Sequence, residues 1–143
     1  MITDSHVKKL NIMEIVTTFL QSNPQPHPMQ VMLPAIISEL SSPSVETKQI
    51  GNTLFEIMPG KDGAAFFKAF NADTNPRFLE NSKQFVVMAK RVMGLNHLVT
   101  QFKDPSLERL FKIISLNPPM PGMGYKVQNL ENGDIRIILN LGG

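Results

Sequence analysis

A change of period near residue 124 constrains this chain more than any other feature. Up to about Ser115 the apolar residues recur at helical spacing. Then comes Asn117-Pro118-Pro119-Met120-Pro121-Gly122-Met123-Gly124, and beyond it the pattern alternates. Tyr125, Val127 and Asn129 alternate before Asn132-Gly133; Ile135, Ile137, Leu139 and Leu141 alternate after it. Asn-Gly between two alternating runs is the strongest short hairpin signal, since both residues accept the positive φ of a tight turn. The pattern predicts a mainly α chain: a compact bundle of about five to seven short helices over 5–115, a Pro/Gly loop over 117–124 and a C-terminal β-hairpin over 125–141. A lone hairpin is marginal in water, so it must pack on the helices or pair with another strand.

Prolines punctuate the helical part. His27-Pro28, Ser42-Pro43, Asn75-Pro76 and Asp104-Pro105 each precede a run with helical spacing. Proline suits a first helical turn, where its missing N–H has no partner to lose, and Ser, Asn and Asp are good N-caps. The predicted helices cover about Ser5–Gln21, Met29–Leu40, Pro43–Ile57, Pro76–Met93 and Pro105–Ser115. Met58 to Gly63 reads as a turn, Ala64 to Phe70 as a short aromatic segment, and Leu95 to Phe102 as one or two further helical turns. Gly94 is placed to end the fourth helix.

Composition removes several classes of function. With 42% hydrophobic and 18% charged residues in 143, the chain is long enough for one domain with its own core. It has no cysteine, which excludes disulfides, thiolate metal sites and cysteine nucleophiles. No apolar run reaches the ~18 residues of a membrane span, and Met1-Ile2-Thr3-Asp4-Ser5-His6 lacks the layout of a signal peptide. A cytoplasmic chain is expected. His6, His27 and His97 stand at no ligand spacing, so no metal and no other cofactor is expected. Gly60-Lys61 fails as a phosphate loop because Phe55 stands where its first glycine belongs and Asp62 follows the lysine. Gly122-Met123-Gly124 opens no helix and is no dinucleotide fingerprint. No Ser elbow, carboxylate pair or His–Asp arrangement stands out, and the expectation is a chain that is not an enzyme.

Charge is uneven. Residues 1–60 carry three lysines against five acids, whereas residues 61–112 carry nine cations against five acids. On the helix over 76–93, Arg77, Lys83, Lys90 and Arg91 share one face. Such a face suits a phosphate backbone, although a solvated surface is the simpler account. The hairpin carries a second candidate surface. Ile135, Ile137, Leu139 and Leu141 form its core face, and Arg136, Ile138 and Asn140 its partly polar face. An unpaired strand edge there invites another chain, and Met120, Met123 and Tyr125 stand beside it. The reading at this level is a non-enzymatic protein–protein interaction module. It would be a homo-oligomer or an adaptor, of the kind viruses and mobile elements encode, with its interface on Met120, Met123, Tyr125, Arg136, Ile138 and Asn140. The alternative is a nucleic-acid-binding protein using Arg77, Lys83, Lys90 and Arg91.

Overall fold

Gly51-Asn52 turns the chain back on itself in the middle of what its spacing presents as a helix. In the computed structural model, which describes residues 8–23, 26–103 and 107–142, this turn joins two antiparallel strands, β1 (Glu46–Ile50) and β2 (Thr53–Pro59). A second turn with Asp62 at φ 58° and Gly63 at φ 75° returns the chain as β3 (Ala64–Asn71). Two helices precede this meander, α1 (Ile12–Ser22) and α2 (Met29–Leu40). After it come α3 (Asn75–Arg91), β4 (His97–Phe102), α4 (Glu108–Leu116), β5 (Gly124–Asn129) and β6 (Ile135–Asn140).

The fold is therefore α+β: among the described residues, four helices surround one six-stranded mixed sheet of order β1-β2-β3-β4-β6-β5. The expected mainly α bundle is corrected, for a physical reason. Leu54, Phe55, Ile57 and Met58 mimic helical spacing because helices cover β2 on both faces, so both of its faces are apolar. Leu95, Leu98, Val99 and Phe102 follow i, i+3, i+4, i+7, yet the last three lie on β4. The turn signals Gly51-Asn52 and Asp62-Gly63 were present in the sequence and outrank that spacing. The hairpin over 125–141 is present as β5 and β6. Helix four of the prediction is α3, and Gly94 after it adopts φ 71°. The expected start of the first helix, with His6, and the Asp104-Pro105 start of the last lie outside the described residues.

Helices α3 and α4 pack on one face of the sheet. Phe85 stacks on Phe55 at 4.1 Å, and Phe111 lies parallel to Phe102 at 6.2 Å. Ile135, Ile137, Leu139 and Leu141 complete this core. Helices α1 and α2 cover the other face over Leu54 and Phe70, with Phe19 edge-on to Phe70 at 5.2 Å. Helix α1 starts at a capping box: the Asn11 side chain accepts from Glu14 N–H at 2.8 Å, and Glu14 accepts from Asn11 N–H at 3.1 Å. Helix α2 buries none of its residues completely and carries Pro34, which lacks the N–H of a helical hydrogen bond. It lies as a thin roof over the first half of the sheet.

Candidate functional site

Strands β3 and β4 are parallel neighbours joined through α3. They pair only at Ala64↔His97, Ala65↔Leu98 and Phe66↔Val99. Beyond this point β3 runs on to Asn71 and β4 to Phe102 without pairing to each other. The sheet opens into a wedge at the carboxyl ends of two parallel strands. In open α/β sheets ligands bind there, because separated strands expose backbone groups and a helix N-terminus follows one of them. Phe66, at the apex, keeps 46% of its surface in solvent, unusual for a ring on an interior strand.

Beside the wedge, on the face covered by α1 and α2, lies a cleft of about 320 Å³. Phe19, Met32, Ala35, Ile36 and Phe70 give it apolar walls, and Glu39 and Lys68 are its charged lining. Lys68 stands on β3 two residues past the apex. Directly opposite it on β2 is Glu56. The side chains of registered antiparallel partners point to the same face, so Glu56 projects under α2.

Glu56 is 0% exposed, and among the described residues neither of its carboxylate oxygens has a hydrogen-bond partner. Lys68 Nζ stands 3.9 Å from Glu56 Oε1 and 3.3 Å from Glu39 Oε2. Burial and the neighbouring Glu39 carboxylate push the Glu56 carboxyl up to about 7, against which the Lys68 ammonium acts only weakly. Glu39, although partial burial opposes it, is held below the usual carboxylate range by the facing Glu56 carboxyl and by the Lys68 ammonium. Near neutrality the pair thus holds one proton, mainly on Glu56. Two carboxyl groups driven apart in this way are the mark of an acid/base pair.

The opposite face of β2 and β3 carries a contrasting polar cluster where α3 begins. Asp73 Oδ2 accepts from Asn52 N–H and from Asn81 Nδ2, each at 2.8 Å. Asn81 Nδ2 also donates to Thr53 Oγ1 at 3.0 Å, and Thr53 donates to Asn71 Oδ1 at 2.8 Å. This network fastens the β3–α3 turn to the β1–β2 turn.

None of the candidate site residues singled out in the sequence lines the cleft. Met120 is buried in the core; Met123 and Tyr125 pack against that core. Strand β6, which carries Arg136, Ile138 and Asn140, has no open edge, because β4 and β5 pair with its two sides. Arg136 donates to Gln101 at 3.2 Å, and Asn140 accepts from Gly142 N–H at 2.9 Å. Arg77 lies in the first turn of α3. Lys83 is 3.8 Å from Glu80, and Lys90 Nζ donates to Gly142 C=O at 2.7 Å. Lys83 and Arg91 line a flatter groove of about 540 Å³ that no sheet residue enters. The residues that sequence reasoning missed are Glu39, Glu56 and Lys68. One signal was available: Glu56 is the single charge inside the apolar run Leu54–Met58. Among the described residues no three His, Asp or Glu side chains converge as a metal site, and no helix is long and apolar enough to cross a membrane.

No family model matches the sequence, and no curated protein matches it. Solved structures do share the fold. The N-acetyltransferase PseH of Campylobacter jejuni aligns with 92% of this chain over 92% of its own, at 11% identity and a TM-score of 0.58. Its complex with acetyl coenzyme A aligns over 92% of both chains at 14% identity and a TM-score of 0.53. A variant of the Vibrio cholerae spermidine N-acetyltransferase SpeG covers 94% of both chains at 10% identity and a TM-score of 0.55. The architecture is thus one that N-acetyltransferases use. These likenesses overturn the expectation of a helical, virus-type, non-enzymatic interaction module: the solved chains that share this sheet are named as enzymes.

The fold implies acetyl coenzyme A, and the residues present do not fit the whole molecule. The wedge offers two unpaired strand edges suited to a thioester arm. The β3–α3 turn, where the diphosphate belongs by the same logic, is Ala72-Asp73-Thr74 and contains neither a glycine nor a cation.

Proposed function

We propose that this chain is an acyltransferase that acylates a primary amine, with the Glu56–Glu39 pair receiving the proton the amine gives up. The observation that carries the reading is Glu56: a fully buried carboxyl raised to about 7, without a hydrogen-bond donor among the described residues, beside an apolar cleft and a parted sheet. A buried polar group without a partner calls for an explanation, since burying it ionised costs on the order of several kcal/mol.

At neutral pH an amine is an ammonium ion and has no lone pair to attack a carbonyl. Glu39 attracts that ammonium, as it now attracts the ammonium of Lys68. Glu56, titrating near neutrality, takes the proton once it is itself ionised. The freed amine then attacks the thioester carbonyl. The C–N bond forms as the C–S bond breaks, and the thiol leaves with the second proton of the attacking nitrogen. A base is most effective when its pKa lies near the working pH. Phe19, Met32, Ile36 and Phe70 would hold an aliphatic stem, so an amine on a methylene chain suits the cleft better than a small polar one. The Vibrio cholerae neighbour is named for such an acceptor, spermidine.

The test is amide formation from spermidine or butylamine and an acetyl thioester, followed by mass spectrometry between pH 6 and 9. The rate should rise through pH 7. Glu56→Gln should lower it by about 10²–10⁴-fold and remove the rising limb. No amide at any pH, or a Glu56→Gln variant within threefold of the parent, would overturn the proposal.

A further inference from the structure

Two successive N–H groups of the β3–α3 turn are already engaged. Ala72 N–H donates to Asn52 C=O at 2.9 Å, and Asp73 N–H donates to Asn71 Oδ1 at 3.0 Å. Pro76, in the first turn of α3, has no N–H to give. A diphosphate cradle needs the opposite: successive backbone N–H groups left open, and glycines that let the phosphates approach. No glycine occurs between Gly63 and Gly94.

The turn also has no room to rearrange. Asp73 is locked by Asn52 and Asn81, and the turn packs so closely that a Cβ on Gly51 would stand 2.9 Å from Asp73 Oδ2. A diphosphate placed there would face the Asp73 carboxylate, a like charge where phosphate sites place cations. Cations do reach this end of the sheet: Arg77 in the first turn of α3, Lys103 just after β4, and Lys8, whose C=O accepts from Asn52 Nδ2 at 2.9 Å. None of them stands beside a glycine-rich backbone cradle.

Resting on the acyltransferase reading, we infer that the acyl donor is held by its pantetheine-type thioester arm alone, and that the site makes no use of a diphosphate. The arm lies in the wedge between β3 and β4, where unpaired strand edges can exchange hydrogen bonds with its two amides. Whatever lies beyond the arm, a nucleotide or another carrier, stays outside the seat.

Calorimetric binding to the full chain tests this with coenzyme A, pantetheine and ADP as probes. Coenzyme A and pantetheine should bind within about threefold of each other. ADP at millimolar concentration should not displace either, and Arg77→Ala and Lys103→Ala should leave coenzyme A affinity within twofold. Coenzyme A binding more than thirtyfold tighter than pantetheine would overturn the inference and leave the acyltransferase reading standing. Displacement by ADP, or a tenfold loss in either variant, would do the same. Binding of neither coenzyme A nor pantetheine would overturn both.

Discussion

Two polar clusters sit on β2 and β3 within a few residues of each other, on opposite faces of the same strands. On the α3 face, Asn52, Thr53, Asn71, Asp73 and Asn81 satisfy one another. On the α2 face, Glu56 keeps two oxygens without a partner among the described residues. The first cluster is what a buried polar group requires in order to be tolerated: every donor meets an acceptor, and the turn is fixed. The second breaks that rule, and its consequence is a carboxyl whose proton moves near neutral pH. Satisfaction marks the part of the molecule that holds shape; the unsatisfied carboxyl marks the part that can do chemistry.

The largest effect should come from opening the closed cluster. Asn81→Leu removes both Nδ2 hydrogen bonds and leaves Thr53 and Asp73 facing an apolar side chain. A loss of about 2–4 kcal/mol is expected in urea unfolding. A loss below about 0.5 kcal/mol would show that the network does not hold the turn.

Next comes the pH dependence of the parent chain. The folded pKa of Glu56 lies above the unfolded value of 4.5, so the folded state binds the extra proton between about 4.5 and 7. Its stabilising contribution is complete below that window and is lost as pH rises through 7. Stability should fall by on the order of 2–3 kcal/mol from pH 5 to pH 8. Glu39, shifted the other way, loses its contribution as pH falls through the acid range. A denaturation series that is flat from pH 5 to pH 8 would remove the contrast between the clusters.

Glu56→Gln sharpens it at a single residue. The variant should match the parent at pH 5, where Glu56 is protonated, and exceed it by about 2–3 kcal/mol at pH 8. A variant that unfolds more easily at pH 8 would make Glu56 a structural group. The smallest effect belongs to Lys68→Met. Loss of the ammonium should move the midpoint of the pH-dependent stability change upward, while stability at pH 5 changes by less than about 1 kcal/mol, as for other exposed pairs.

How far the sequence reaches depends on which signals compete. Asn132-Gly133 and Gly94 mark real boundaries because turn chemistry is local: a positive φ is needed whatever surrounds it. The alternation of Ile135, Ile137, Leu139 and Leu141 survives because β6 has one face against the helices and the other uncovered by them. Strand β2 defeats the same test because it is covered on both faces. Spacing misleads in the opposite sense at Val92: a 3.6-residue period counted from Phe85 and Ala89 puts it toward the core, yet it is 76% exposed where α3 ends. The site was less legible still. Glu39 lies 17 residues before Glu56, and Lys68 lies 12 after it. Only the β2–β3 register and the roof of α2 bring the three together.

One consequence of the strand order concerns time rather than place. The β1–β2–β3 meander closes through tight turns, so its contacts form between near neighbours in the chain. Every pairing of β4 is remote: His97 meets Ala64, 33 residues back, and Asn140, 43 residues ahead. Pairings of such long range are slow to form, because the loop must close before any contact rewards it. The wall of the wedge is therefore assembled late. A nascent or refolding chain would show most of its meander before the wedge exists, and binding of any ligand that needs the wedge would report the last step of folding rather than the first.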